Sequence, residues 1–252
     1  MPAARHAQSE TGDPLLLTPG PLTTAKSVKE VMVHDWGSRD ATFLRINREV
    51  MERLPEIVHG EEAYVTVPMQ GSGTFAVEAM LTTFVPPGGK VLVLINGAYG
   101  QRAKRILEIA RRKVVVHETP EDTAPDLGAI ERLLTRSKSI THVFAVYCET
   151  TSGIRNPIEA IADICARTGK RLLVDAMSAF GALPLDDRLI RAACLKVVVA
   201  DEAHVLRFGL ARRRNDLCFL RGHGATTAPG RNCGKRDERG TSVRVVLHET
   251  PP

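Results

Sequence analysis

Four short apolar runs, separated by three amphipathic segments, most constrain what this chain can fold into. The runs are rich in Val, Leu and Ile without alternation, which is typical of parallel strands covered on both faces. They are KVLVLI (90–95), RKVVVHE (112–118), THVFAVYC (141–148) and RLLVDA (171–176). The segments with a helical period are 98–112, 126–137 and 157–169, and the last closes on Gly169, a predicted C-cap. The alternation predicts an α/β fold: a mostly parallel sheet with helices on both faces.

Composition excludes several classes of protein. The 252 residues are 43% hydrophobic and 25% charged, and no run approaches the roughly 20 apolar residues that a bilayer-spanning helix needs. Five cysteines, an odd number without a CxxC pair, argue against a disulfide framework or a zinc site. We therefore expect a cytoplasmic protein that binds neither a metal nor a membrane. Residues 1–14 lack the apolar centre of a secretory signal and are expected to be a disordered lead-in.

The basic charge is concentrated at the end of the chain. Residues 201–252 contain ten Lys or Arg against six Asp or Glu, within a total net charge of +5. No periodicity of any length is visible there, so we expect an anomalous basic tail that is poorly ordered. A nucleic-acid-binding arm is the alternative, because basic clusters neutralise phosphates. Few aromatic residues accompany these clusters, and nucleic acid is not the expected partner.

Small residues precede a predicted helix in VPMQGSGTFAVEAM (67–80). Glycine lets a ligand approach the main chain closely, and Ser72 or Thr74 can cap the helix that follows. The unpaired N–H groups of such a helix start favour an anion, most commonly a phosphate. An ordinary capped turn is the alternative.

Three polar segments directly follow predicted strands: NGAYG (96–100), ETTSGI (149–154) and DAMSAFG (175–181). Ligands of open α/β sheets bind beyond the carboxyl ends of the strands, so these segments are expected to share one rim. They provide aromatic, hydroxyl and carboxylate groups suited to a planar, phosphorylated, nitrogen-containing ring. Asp175 ends a strand that offers it no partner, and a cationic ring nitrogen would explain a buried carboxylate there. A capping or turn aspartate is the alternative.

Five ordered segments resemble one enzyme family. They are LLLTPGPLTT (15–24), QGSGTFAVEAM (70–80), LVLINGAYGQR (92–102), CETTSGIRNPIEAI (148–161) and LLVDAMSAFGALPLD (172–186). They are similar to the 2-aminoethylphosphonate:pyruvate transaminases, pyridoxal-phosphate enzymes related to the alanine:glyoxylate and serine:pyruvate aminotransferases. The resemblance covers about residues 15–187. It implies that residues 15–200 form an incomplete large domain of the fold-type I pyridoxal-phosphate enzymes, with the small C-terminal domain missing.

The resemblance also implies how pyridoxal 5'-phosphate is held. Ser72, Gly73 and Thr74 would bind its phosphate, while Tyr99 and Met177 would lie against opposite faces of the pyridine ring. For the last two, a rim aromatic and a simple core methionine are the alternatives.

The ring edge and the substrate pocket complete this implied site. Thr150 would hydrogen-bond the ring hydroxyl or edge, and Asp175 would pair with the protonated pyridine nitrogen. Thr18 to Pro21 would border the substrate. Trp36 would lie at the pocket or at a subunit boundary, since the family builds its sites between the two protomers of a homodimer.

The implied reaction moves the amino group of 2-aminoethylphosphonate to pyruvate, giving phosphonoacetaldehyde and L-alanine in phosphonate catabolism. Two alternatives remain open. One is an alanine- or serine:glyoxylate-type aminotransferase, and the other is a non-catalytic remnant that binds pyridoxal phosphate.

One departure from the family concerns the lysine that bonds to the cofactor. The resemblance places it 26 residues after Asp175, where this chain has Asp201. Lys196 lies five residues earlier, roughly 16 Å along a strand, and is a poor substitute. We therefore expect a truncated or frame-shifted chain that is inactive or nearly so.

Overall fold

The computed structural model describes residues 9–17, 22–58, 64–185, 196–200 and 204–209, the last two ranges as backbone. Six helices and nine strands lie in this part of the chain. The helices are α1 Lys26–Met32, α2 Ala41–Glu56, α3 Gly73–Phe84, α4 Ala98–Ile109, α5 Leu127–Arg136 and α6 Ile158–Thr168. The strands are β1 Tyr64–Met69, β2 Lys90–Ile95, β3 Lys113–Glu118, β4 His142–Val146, β5 Cys148–Glu149, β6 Ile154–Arg155, β7 Arg171–Asp175, β8 Lys196–Ala200 and β9 His204–Gly209.

Seven strands form one sheet in the order β1-β9-β8-β7-β4-β2-β3. The pairs from β3 to β8 are all parallel, whereas β9 runs antiparallel to both β8 and β1. Two successive reversals return β1 to the direction of the parallel strands. The carboxyl ends of β1, β2, β4 and β7 therefore point to the same rim. The sequence prediction of a mostly parallel sheet is confirmed.

The core lies on both faces of the sheet, as near-continuous apolar strands require. Leu92 and Leu94 of β2 belong to one buried cluster, which includes residues of α5 and α6. Val91 and Val93 point to the other face and join a cluster with residues of α3 and α4. Strands β2, β4 and β7 thus contribute alternate side chains to two cores, which confirms the prediction of helices on both faces.

The helix ends follow local sequence signals. Ser72 is the N-cap of α3, and its side chain accepts a hydrogen bond from the Phe75 N–H. Asp126 caps α5 in the same way through the Ala129 N–H. Gly169 ends α6 in the left-handed conformation, which confirms the predicted C-cap. Helix α4 differs, since its N-cap is Gly97 and provides no side chain.

The sheet continues beyond the boundary at residue 200 that the sequence predicted. Strand β9 lies inside the segment expected to be poorly ordered, and it pairs with β8 and β1. An antiparallel strand needs only a short connection to its partner, and three residues separate β8 from β9. The division of the chain into domains stays a prediction. The rest of the predicted tail, 201–203 and 210–252, lies outside the described residues.

The predicted lead-in is described from residue 9 onward. Asp13 forms an ion pair with Lys29 of α1, with Oδ2 and Nζ 2.5 Å apart. Residues 1–8 lie outside the described part. Among the described helices, none has the length and apolar character needed to cross a bilayer.

Candidate cofactor site

The beginning of α3 is shaped by two close contacts with Phe75. Gly71 has a φ of 130°, and a Cβ placed there would lie 2.8 Å from Cδ1 of the Phe75 ring. The Ser72 Oγ accepts the Phe75 N–H at 3.3 Å. The positive φ and the close contact favour glycine at position 71. Helix α3 begins four residues after the carboxyl end of β1, so its first N–H groups lie near the rim. Ser72, Gly73 and Thr74, the predicted phosphate ligands, thus form the exposed or half-buried first residues of one helix.

Helix α4 connects to this helix start through a side chain that the sequence analysis did not single out. The Arg102 Nη1 donates a hydrogen bond to the Thr74 Oγ1 at 3.0 Å. Its guanidinium carbon also lies 4.8 Å from the centre of the Tyr99 ring, within the range of a cation–π contact. Arg102 thereby links the half-buried Tyr99 to the start of α3. The sequence contained a signal for this residue, because Arg102 is the last residue of LVLINGAYGQR, one of the segments that carry the family resemblance.

Glu149 is the second residue that sequence reasoning did not single out. It is fully buried, and a buried carboxylate needs hydrogen bonds to compensate its lost hydration. Its Oε2 accepts the Tyr99 N–H at 3.3 Å, and its Oε1 accepts the Thr151 hydroxyl at 2.8 Å and the Thr151 N–H at 3.3 Å. Glu149 therefore joins the β5 segment to the start of α4.

Asp175 lies at the carboxyl end of β7, opposite Val146 of β4, and is 5% exposed. Its Oδ1 accepts the Met177 N–H at 3.0 Å. The pKa of this carboxyl is raised from 3.8 to about 6, mainly by burial; the Met177 N–H lowers it, the Glu149 charge raises it and Arg102 lowers it. Among the described residues Asp175 forms no ion pair. The site thus contains a buried carboxyl group whose charged form would be stabilised by a nearby cation.

The remaining predicted residues occupy the same rim or fall outside the described part. Thr150 is half-buried beside Glu149, and Met177 is half-buried two residues after Asp175. Lys196 begins β8 opposite Leu173, whereas Val198 is the residue opposite Asp175. Asp201, the position where the family resemblance places a lysine, lies outside the described residues, as do residues 18–21.

Neither a metal cluster nor a disulfide is found in the described part of the chain. No group of three His, Cys, Asp or Glu side chains there could bind a metal ion. Cys148 and Cys165 are free thiols.

This combination of sheet order and rim residues defines a class of protein. The sequence pattern of the family described as "Aminotransferase class-V" matches residues 26–192, more than half of the chain. The chain belongs to this family.

Individual relatives share about half of their length with this chain. It is 51% identical over 177 residues to "2-aminoethylphosphonate--pyruvate transaminase" of Pseudomonas aeruginosa (strain UCBPP-PA14), covering 70% of this chain and 48% of the relative. It is 53% identical over 176 residues to "2-aminoethylphosphonate--pyruvate transaminase 1" of Cupriavidus pinatubonensis, covering 70% and 47%. The chain therefore spans about half the length of the curated relatives that it matches.

Solved structures share the fold. Pyridoxamine-pyruvate aminotransferase of Mesorhizobium loti superimposes with a TM-score of 0.71 at 23% identity, covering 82% of this chain and 53% of that one. Alanine--glyoxylate aminotransferase of Nostoc sp. gives a TM-score of 0.70 at 25% identity, covering 80% and 56%. The described sheet and helices thus have the large-domain fold of the pyridoxal-phosphate aminotransferases.

Proposed function

We propose that this chain is the cofactor-binding part of a pyridoxal-phosphate aminotransferase that takes the amino group from 2-aminoethylphosphonate and gives it to pyruvate. The products would be phosphonoacetaldehyde and L-alanine, which makes this a step of phosphonate catabolism. Identity above 50% to relatives of that name supports the substrate pair. The buried carboxyl of Asp175 is the structural observation on which the cofactor proposal rests.

Asp175 fits the pyridine nitrogen of the cofactor. A carboxyl group with a pKa near 6 and no ion pair in the described part is destabilised when ionised. A protonated ring nitrogen would supply the missing positive charge, and Asp175 would in turn keep that nitrogen protonated. Pyridoxal phosphate held in this way would supply an electron sink for the substrate carbon that loses a proton.

The other end of the cofactor fits the start of α3. The Ser72 Oγ accepts the Phe75 N–H and the Thr74 Oγ1 accepts from Arg102. The first N–H groups of a helix lack partners in the preceding turn, so together with these hydroxyls they would favour a phosphate. We assign Tyr99 and Met177 to the two ring faces and Thr150 to the ring edge. Contacts between α3 and α4 through Arg102 bring the phosphate end and the ring end into one cluster.

We further propose that this chain binds the cofactor noncovalently and has little or no transaminase activity. The family resemblance places a lysine at position 201, and the sequence has aspartate there. Lys196 starts β8, two residues before the position opposite Asp175. Position 196 therefore lies toward the amino end of β8, whereas Asp175 lies at the carboxyl end of β7.

Homodimer formation is proposed from the apolar surface of the first two helices. Helix α1 has no buried residue, and α2 buries only Pro55. Val31, Met32 and Leu44 are each at least half exposed, and exposed apolar side chains on two successive helices support an interaction surface there. Sedimentation equilibrium should give a dimer for the wild type and a monomer for Val31→Glu/Met32→Glu. A monomeric wild type would refute this assignment.

The proposed location is the cytoplasm, and the free thiols of Cys148 and Cys165 support it. An alanine:glyoxylate activity is the second candidate, supported by the likeness to the Nostoc enzyme. A remnant that binds pyridoxal phosphate without any catalysis is the limiting case of the low activity proposed above, and the aspartate at 201 supports it.

A titration of the purified chain with pyridoxal phosphate tests the central proposal. We expect saturable binding by absorbance and fluorescence, at least about tenfold weaker in Asp175→Asn because a buried charge pair is lost. Asp163→Asn, an exposed position on α6, is the matched control and should bind like the wild type. Binding that is absent in the wild type, or equal in both variants, would reject the cofactor site.

Product analysis then separates the candidates. 2-Aminoethylphosphonate with pyruvate, and alanine or serine with glyoxylate, are each supplied to the loaded chain. Traces of phosphonoacetaldehyde would favour the first activity, and traces of glycine the second. Borohydride treatment followed by peptide mapping checks noncovalent binding, and a lysine adduct would contradict it.

A further inference from the structure

The start of α4 is held by side chains from a distant segment of the chain. Its N-cap is Gly97, which forms no side-chain cap hydrogen bond. A helix start leaves its first N–H groups without backbone partners, and a local Ser, Thr or Asp normally accepts from them. Here the Tyr99 N–H donates to Glu149 Oε2 at 3.3 Å and the Ala98 N–H to Thr151 Oγ1 at 3.4 Å.

The tight packing at Gly97 explains why the cap comes from elsewhere. A Cβ at this position would lie 2.6 Å from the Thr151 Oγ1 and still closer to the Cγ and Cδ of Glu149. Any side chain would displace the carboxylate, so position 97 must be glycine if Glu149 is to reach the helix. The close contact between Gly97 and Glu149 therefore explains both why α4 has no side-chain cap at position 97 and why Glu149 can cap it.

We propose that Glu149 is a positioning residue, which fixes the start of α4, including Tyr99, against residues 148–151, including Thr150. This inference rests on the proposed function. Glu149 accepts hydrogen bonds from the main chain of Tyr99 and from Thr151, the residue after Thr150, so one buried carboxylate holds together the two segments that carry the proposed ring contacts. Thr151 completes the arrangement, because its hydroxyl donates to Glu149 and accepts from Ala98.

A second connection holds the same two segments together. The side-chain amides of Asn96 and Asn156 bond each other reciprocally, at 2.8 and 3.1 Å, and both residues are buried. The Asn156 Nδ2 also donates to the Val146 carbonyl at the end of β4. The Asn96–Asn156 pair holds residues 96–102 and 148–156 close together. In this proposal Glu149 then sets the direction in which α4 begins. Replacing Glu149 should therefore reorient Tyr99 without separating the segments.

A cofactor-free measurement tests the positioning directly. In Glu149→Ala, amide hydrogen exchange in a peptide covering residues 96–102 should be at least about tenfold faster than in the wild type, because a buried hydrogen bond is lost. Glu131→Gln is the matched control, since Glu131 forms an exposed ion pair with Arg167 on the other face of the sheet. Exchange that is unchanged in Glu149→Ala would overturn the inference, whatever the chain binds.

Ligand measurements separate positioning from general destabilisation. Pyridoxal phosphate should bind Glu149→Ala at least about tenfold more weakly, with a smaller induced circular dichroism of the cofactor band. Inorganic phosphate, which needs only the start of α3, should bind as in the wild type. Equal losses for both ligands would indicate a merely structural role and would overturn the inference. A wild type that binds no pyridoxal phosphate would instead reject the proposed function.

Two milder variants guard against a misfolded alanine mutant. Glu149→Gln keeps the shape and one acceptor oxygen, so it should recover part of the induced circular dichroism. Thr151→Val removes the bridging hydroxyl and should weaken cofactor binding by about threefold to tenfold. Wild-type spectra in both variants would contradict the proposed role.

Discussion

Replacing Asp175 by asparagine should stabilise the cofactor-free protein while it weakens cofactor binding. Burial, together with the Glu149 charge, raises the pKa of Asp175 from 3.8 to about 6 in the folded state. The folded state thus holds this proton more tightly than the unfolded chain. The favourable contribution of protonated Asp175 to the free energy of unfolding is fully present below pH 3.8, and it is lost as the pH rises through 6.

The size of the effect follows from the shift. A difference of about 2 pKa units corresponds to about 3 kcal/mol at pH values above both pKa values. Asparagine has no charge to bury, and its Oδ1 can still accept the Met177 N–H. Asp175→Asn should therefore exceed the wild type by up to about 3 kcal/mol in the free energy of unfolding at pH 8, and the advantage should shrink toward pH 4.

Urea unfolding of the cofactor-free protein at a series of pH values measures this difference. Asp163→Asn, the exposed control, should follow the wild-type curve at every pH. Saturating pyridoxal phosphate should reverse the order, since the ligand stabilises the state to which it binds. Parallel pH curves for the wild type and Asp175→Asn would refute the reasoning that burial of this carboxylate destabilises the empty site.

Three further outcomes are expected. Burial lowers the pKa of His142 from 6.5 to about 4. The contribution of neutral His142 to the free energy of unfolding is therefore fully present above pH 6.5 and is lost as the pH falls through 4, by up to about 3 kcal/mol. In acid unfolding, the free energy of His142→Gln should depend less on pH over this range. Gly97→Ala should lower the urea midpoint strongly because of its contact with Glu149, whereas Gly88→Ala, with open space around it, should not. Burial raises the pKa of Cys165 to about 12, so iodoacetamide should label it only after unfolding, as peptide mapping can measure.

Sequence periodicity predicted the central elements because they are determined locally or by simple burial. The apolar run at 90–95 coincides with β2, and the segment at 126–137 contains α5 with Asp126 as its cap. By contrast, the order of strands at the β1 edge depends on the antiparallel partner β9. No pattern in the β9 residues indicates this pairing, since it is decided by a contact between segments about 140 residues apart.

The candidate site divides in the same way. Ser72 and Asp175 carry signals that a single segment contains: a helix cap, and a carboxylate at the end of an apolar strand. Arg102 and Glu149 acquire their significance from partners 28 and 50 residues away. Both residues lie in or next to segments that the sequence predicted to be at the rim. Which polar residues there form hydrogen bonds with each other depends on tertiary packing.

Glu149 and Asp175 together explain why this rim differs from the rest of the protein. Two carboxyl groups, both at least 95% buried, lie near enough for the charge of Glu149 to raise the pKa of Asp175. A protein selected for stability alone would replace one of them, because like charges in a low-dielectric site repel. Glu149 is compensated by the start of α4 and by Thr151, whereas Asp175 receives one main-chain hydrogen bond. Asp175 is therefore the less compensated of the two carboxyl groups, which is why we propose it, and not Glu149, as the partner of a cationic ligand.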